Sequence, residues 1–248
     1  MRLTIRFRPK NGTLILPINY EEVLQGFLYR SIQDFELAHF LHNVGYTKEK
    51  RRFKMFTFSR LYGTYRIHRY EKKIEFFDQI TWYVSSMLDS LIVDLARNYL
   101  LKEQFILNGQ SIHIEETVVK PLEIAEKHAY QIRMLSPLTV YSTYENRYGE
   151  KRTHFFSPFD LVFSDMIEKN FFNKFQAYFQ EQPTERVTIK PIKVAEKDKV
   201  VTTFKEFRIN AWNGTYEIQA PLSYLKFMYD VGIGAKNSQG FGMFEIVE

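Results

Sequence analysis

A chain of 248 residues, 45% apolar and 25% charged, is long enough to enclose a hydrophobic core in one large domain or in two of roughly 120 residues. It contains no cysteine, which excludes disulfides, zinc–thiolate sites and iron–sulfur clusters and fits a reducing, cytoplasmic setting. The formal charge of +5 suits a polyanionic partner, because neutralising phosphates releases their condensed counterions, but an excess of that size selects no partner alone.

The opening MRLTIRFRPK alternates charged and apolar residues and does not read as a signal peptide. Leu3, Ile5 and Phe7 are expected to face a core while Arg2, Thr4, Arg6 and Arg8 face out, the pattern of a half-buried strand. Its arginines would either grip phosphates or form a solvated face. From Tyr20 to His42, the apolar residues Leu24, Phe27, Leu28, Ile32, Phe35, Ala38 and Leu41 recur at three and four residues. Asp34 offers an internal N-cap there, so the spacing predicts two helices with a break instead of one rod.

A basic run from Lys48 to Arg52 precedes a strand at Lys54 to Phe58, and Tyr65–His68 with Ile74–Phe77 read as a hairpin. A helix is predicted from Thr81 to Asn98, striped by Val84, Met87, Leu88, Leu91, Ile92 and Leu95 and capped by Asp78. Its stretch SMLDSLIVDLA carries Asp89 and Asp94 and is too short to span a bilayer, so no membrane is expected. Strands at 104–108 and 111–117 follow across Asn108-Gly109.

The second half repeats this order. Tyr130 to Leu138 is strand-like, and Ser157, Pro158 and Asp160 form a helix start continuing through Phe163, Ile167, Phe171 and Phe175. Strands are predicted at Val187–Val194, Lys205–Asn210 and Thr215–Ala220, a helix from Pro221 to Gly232, and a closing strand at Phe241–Val247. Each half reads as β-α-β-β-α-β, so the expected fold class is α+β with tandem ferredoxin-like domains. These would span 1–120 and 121–248, divided near 117–126, where VVKPLEIAEK is polar and carries Pro121.

Residues 232–242, GIGAKNSQGFG, hold four glycines. Such a loop can bring backbone N–H groups close to an anion, with Lys236, Asn237 and Ser238 between the glycines. Rossmann and Walker loops lead from a strand into a helix, whereas this one leaves a helix for the last strand, which excludes both. A purely structural reading remains open, with Gly232 as a helix cap and Gly240 and Gly242 in a bulge.

This C-terminal glycine-rich loop on a duplicated ferredoxin-like chain resembles the RAMP superfamily of CRISPR-associated proteins. In particular it is similar to the repeat-cleaving endoribonucleases, the Cas family numbered six. The resemblance implies RNA binding by Gly232, Gly234, Lys236, Asn237, Ser238, Gly240 and Gly242, joined by Arg6 and Arg8 of the first strand. It also implies a catalytic triad of Tyr29, His42 and Lys54, matched in QGFLYRSI, HFLHNVGY and FKMFTFS. Lys50 or Arg52 could stand in for Lys54, since FKMF is the loosest match.

The implied reaction needs no metal or cofactor. The 2′-hydroxyl of RNA attacks the adjacent phosphate, leaving a 2′,3′-cyclic phosphate and a 5′-hydroxyl. Histidine titrates near neutrality and can move the protons, lysine supplies a point charge, and a tyrosine hydroxyl donates or accepts. The expected partner is CRISPR repeat RNA, as precursor and processed guide, with homodimerisation and a loose association with an effector complex as further expectations. The rival functions are a non-catalytic RAMP subunit holding guide RNA and a ferredoxin-like interaction module that binds no nucleic acid.

Geometry imposes a condition. Tyr29 and His42 are thirteen residues apart, which puts them on nearly opposite faces of a straight helix turning roughly 100° per residue. They converge only if the helix breaks near Asp34. His39 and His68 are the rival histidines, and a metal site at His39 and His42 lacks a clear third ligand.

Overall fold

A computed structural model describes residues 1–102 and 104–247. The first half is built on a seven-stranded antiparallel sheet. Arg2–Pro9 lies between the long strand Lys73–Ser86 and Gln110–Lys120, and Gln104–Leu107 extends the sheet beyond the latter. Thr13–Pro17, Phe56–Phe58 and Tyr62–His68 all pair with the long strand. One sheet face is covered by helices α1 (Glu21–Ser31) and α3 (Asp89–Leu101), with the short α2 (Phe35–His39) at the end of α1. Leu3, Ile5, Phe7, Ile80, Trp82 and Val84 from the sheet pack with Leu24, Phe27, Leu28, Leu91, Ile92 and Leu95 from the helices.

In the second half the sheet order is Thr188–Lys193, Thr215–Gln219, Tyr130–Met134, Phe244–Val247, all antiparallel. Helices α4 (Phe163–Phe179) and α5 (Leu222–Val231) pack on it around Ile132, Ile167, Phe171, Leu225 and Phe244. In both halves the first strand is central, beside the last strand of that half: Gln110–Lys120 next to Arg2–Pro9, and Phe244–Val247 next to Tyr130–Met134. That is the ferredoxin-like arrangement, present twice.

Several elements differ from the sequence expectation. The helix expected at Thr81 is strand to Ser86, and α3 begins at Asp89. Ile74, Phe76, Ile80, Trp82 and Val84 are all buried with a two-residue spacing interrupted once, at Asp78. Asp78 has φ of 55°, so it is an irregular position inside the strand and not a helix cap. Helix α4 starts at Phe163; Asp160 instead closes a turn, its Oδ2 accepting from Ser157 N at 2.7 Å. Lys205 and Glu206, expected in a strand, form the positive-φ turn between Lys199–Phe204 and Phe207–Trp212. A second hairpin, Tyr141–Glu145 with Lys151–Phe155, was also unforeseen.

Arg2 does not face solvent. It is buried where the halves meet, donating to Phe244 O at 2.8 Å with its guanidinium 3.6 Å from the centre of the Tyr229 ring. Burial pushes its pKa down to about 10. Beside it the N-terminal ammonium pairs with Asp230 at 3.0 Å. Among the described residues no helix is long and apolar enough to cross a membrane.

Candidate active site

The break in the helical segment is present and has identifiable causes. After Ser31 the chain turns extended at Ile32 (ψ 123°), and Asp34 caps α2 by accepting from Leu37 N at 3.0 Å. Asp94 of α3 accepts from Gln33 N at 2.8 Å and Asp34 N at 3.3 Å, so the amides exposed by the break are satisfied from a neighbouring helix. Helix α2 runs into a π-helical turn, Phe40–Val44, closed by the bond from Gly45 N to Phe40 O. Gly45 has φ of 66°, and a Cβ there would approach Phe53 O to 2.8 Å, so only glycine fits.

This path folds His42 back over α1. The rings of Tyr29 and His42 meet edge to face with centroids 5.5 Å apart. Lys54 Nζ donates to the backbone oxygen of His42 at 2.9 Å, and Arg52 donates to that of Asn43 at 2.9 Å. Both cations thus sit on the carbonyl end of the π-helical turn, where the backbone dipoles favour positive charge. Tyr29, His42 and Lys54 are brought together, as the resemblance requires. Lys50 makes no such contact in this cluster but lines the adjacent groove.

The His42 ring is exposed, with Nδ1 2.8 Å from Asn43 Oδ1. The Tyr29 hydroxyl is half-buried and reaches Leu41 O at 3.4 Å; burial pushes its pKa up to about 12, so at neutral pH it is a phenol and not a base. Partial desolvation, and then the charge of Arg52, push the Lys54 ammonium below the ordinary lysine value. Among the described residues no three His, Asp or Glu side chains converge as metal ligands would.

Lys54 also lines a groove of about 730 Å³ between the two halves. Lys50, Arg51, Arg52, Lys54, Lys169, Lys174 and Lys236 line it, and among the described residues no carboxylate does. Its other walls come from Tyr141, Ser142 and Thr143 of the hairpin, Met166 and Asn170 of α4, and residues 234–239 of the glycine loop.

The glycine loop has a built interior. Lys174, fully buried on α4, donates to Gly232 O, Gly234 O and Asn237 Oδ1, while Asn237 Nδ2 bridges Ile233 O and Phe241 O at 3.0 Å each. Asn237 therefore spends both ends of its amide inside the loop. All four glycines are buried at positive φ, and a Cβ on Gly242 would fall 1.9 Å from Ile233 O. The amides of Gly232, Gly240 and Gly242 are bonded to Met228 O, Asn237 O and Pro137 O. These glycines shape the loop; the part turned to the groove is 234–239, so Gly234 alone of the four lines it. Lys236 lies there with its ammonium 5.2 Å from the centre of the Tyr141 ring, and Ser238 O accepts from Gln25 of α1 at 2.6 Å.

Arg6 and Arg8 are not brought to this site. Arg6 pairs with Glu116 and Arg8 with Glu115, and neither lines the groove. His39 stacks on Phe35, and His68 pairs with Glu75 at 2.9 Å on the hairpin. Sequence reasoning missed Lys174, Gln25 and Gly45. Of these, Lys174 had a signal: it falls on the buried stripe Phe163, Ile167, Phe171, Ala177, where a lysine is out of place.

Residues 117–246 match the family described as CRISPR associated protein Cas6, C-terminal, and residues 15–118 match CRISPR-associated protein Cas6, N-terminal. The CRISPR-associated endoribonuclease Cas6 1 of Methanocaldococcus jannaschii is 26% identical over 256 residues, covering all of this chain and 93% of the relative. The CRISPR-associated endoribonuclease Cas6 of Pyrococcus furiosus is 26% identical over 261 residues, covering 99% and 90%. A solved structure of a Cas6-related protein from Pyrococcus furiosus shares the fold with a TM-score of 0.84 at 21% identity, covering 100% of this chain and 98% of that one. The duplicated ferredoxin-like fold and the two family matches, which between them run from residue 15 to residue 246, agree: this chain belongs to the CRISPR-associated Cas6 family.

Proposed function

We propose that this chain is an endoribonuclease that cuts CRISPR repeat RNA within precursor transcripts, by a metal-independent reaction at Tyr29, His42 and Lys54. The observation that carries the reading is the meeting of the Tyr29 and His42 rings at 5.5 Å, with Lys54 both held on the His42 carbonyl and lining a cation-rich groove. Relatives along the full chain bear the name endoribonuclease, which supports the same activity. In this division of labour residues 1–120 carry cleavage, and residues 121–248 contribute the loop and most of the groove.

The chemistry follows from the groups present. RNA supplies its own nucleophile, so the protein has to move two protons and balance the charge of the phosphorane. The exposed His42 imidazole takes the 2′-hydroxyl proton as the 2′-oxygen bonds to phosphorus. The bond from phosphorus to the 5′-oxygen breaks, and that oxygen leaves as a hydroxyl after receiving a proton. The Lys54 ammonium faces the non-bridging oxygens and, with its pKa lowered, is a better proton donor than an ordinary lysine. Tyr29, kept as a phenol by burial, can donate a hydrogen bond but not abstract a proton. The groove lysines and arginines hold the flanking phosphates, with 234–239 as the loop contact.

The test is to incubate the protein with repeat RNA and map the ends of the products. The expected result is one cut per repeat, with a 2′,3′-cyclic phosphate on one fragment and a 5′-hydroxyl on the other. A 5′-phosphate would show that water, and not the ribose hydroxyl, attacks.

A further inference from the structure

The groove contains two side-chain oxygens that nothing among the described residues satisfies. Asn170 Oδ1 and Gln239 Oε1 are both shut off from solvent without a hydrogen-bond partner, and both residues line the groove. Buried acceptors left unmade are costly, and such atoms in a native fold call for an explanation. They come from two different elements. Asn170 shares one face of α4 with Met166 and Lys174, at four-residue spacing, and Gln239 belongs to the loop that Lys174 holds.

The chemistry of RNA decides what can satisfy them. Phosphate oxygens only accept hydrogen bonds, so the lysines and arginines of the groove can hold them and these amide oxygens cannot. The donors on a strand are the base N–H groups and the ribose 2′-hydroxyl. The amide of asparagine or glutamine also matches adenine in particular, accepting from N6 and donating to N7.

We propose that Asn170 and Gln239 form a base-reading subsite of the groove, which takes the exocyclic amine of an adenine in the bound strand. The proposal rests on the groove being an RNA site and adds to it a rule of base choice. The cations supply affinity without sequence preference, while these two amides supply preference.

The test measures binding of the full chain to three short homopolymers at one salt concentration. They are oligo(A), oligo(U), and an oligomer of purine riboside, which has the adenine ring without its amine. The wild type is expected to bind oligo(A) roughly tenfold more tightly than the purine riboside oligomer, the scale of one good amide–base contact. Asn170→Ala and Gln239→Ala each shrink that ratio, the double variant brings it to about one, and oligo(U) binding stays unchanged. Gln239 lies in a loop, so Gln239→Ala keeps the test sharp if Asn170→Ala does not fold.

Equal binding of oligo(A) and the purine riboside oligomer by the wild type would overturn the subsite while leaving the RNA groove intact. Variants that weaken all three oligomers alike would do the same. On a fourth oligomer, oligo(dA), a loss relative to oligo(A) that vanishes in the variants would mean that the oxygens take the ribose hydroxyl instead of the base, and would also overturn it. No binding to any oligomer would remove the RNA reading and this subsite together.

Discussion

Gln25 and Tyr29 stand one turn apart on the same face of α1; Gln25 holds the glycine loop through Ser238 O at 2.6 Å, and Tyr29 meets the His42 ring. The loop comes from the second half of the chain and the histidine from the first, so one helix sets the spacing between strand-gripping and strand-cutting groups. Gln25→Ala removes the tether without touching either. One hydrogen bond of about 1 kcal/mol predicts roughly fivefold weaker binding of repeat RNA, read by titration, with the fold intact.

Asp34 controls the convergence of Tyr29 and His42. Asp34→Ala deletes the cap on Leu37 N and should cost about 1 kcal/mol of stability in denaturant titration. Cleavage should fall more than RNA binding does, because the groove cations Lys169, Lys174 and Lys236 lie in the second half. An equal fall in both would mean that the break is not what positions His42.

That break could be anticipated because a cap is a local signal: an aspartate three residues before the amide it accepts from. The triad likewise lay in short segments that match a known family. Other features were hidden for physical reasons. The strand reaching Ser86 reads as helix in the sequence because Val84, Met87, Leu88, Leu91 and Leu95 also fit a helical stripe, whereas the alternation of Ile80, Trp82 and Val84 carries the true period. The four glycines suggested anion contact, but the close approaches of Gly234 to Thr139 and of Gly240 to Phe58 are long-range and appear only in the folded chain. Arg6 and Arg8 looked like free cations until the pairing strand brought Glu116 and Glu115 opposite them.

Those pairings separate two kinds of arginine and lysine. Lys169→Ala removes a groove charge and should lower the slope of log K against log salt by about 0.7, the single-strand value per phosphate contact. Arg8→Ala removes a charge already matched by Glu115 and should leave that slope within experimental scatter. A larger effect from Arg8 than from Lys169 would move the RNA path out of the groove.

Lys174 supports the loop from beneath. Lys174→Met leaves Gly232 O, Gly234 O and Asn237 Oδ1 without their donor and should cost about 3 kcal/mol. Burial holds the lysine at about 7, below its ordinary 10.5. Between those pH values the unfolded chain keeps a proton that the folded chain has released, so this group's contribution to stability rises with pH across that window. Thermal denaturation from pH 7 to 10 should therefore show the wild type gaining on Lys174→Met as pH increases.

The most direct measurement is cleavage of repeat RNA in excess EDTA by the wild type and by His42→Ala, with binding measured in parallel. The wild type should cut at an unchanged rate. His42→Ala should bind RNA as before and cut about 10²–10⁴-fold more slowly, the usual contribution of a general acid–base group. Loss of wild-type cleavage in EDTA, or full cleavage by His42→Ala, would contradict the account.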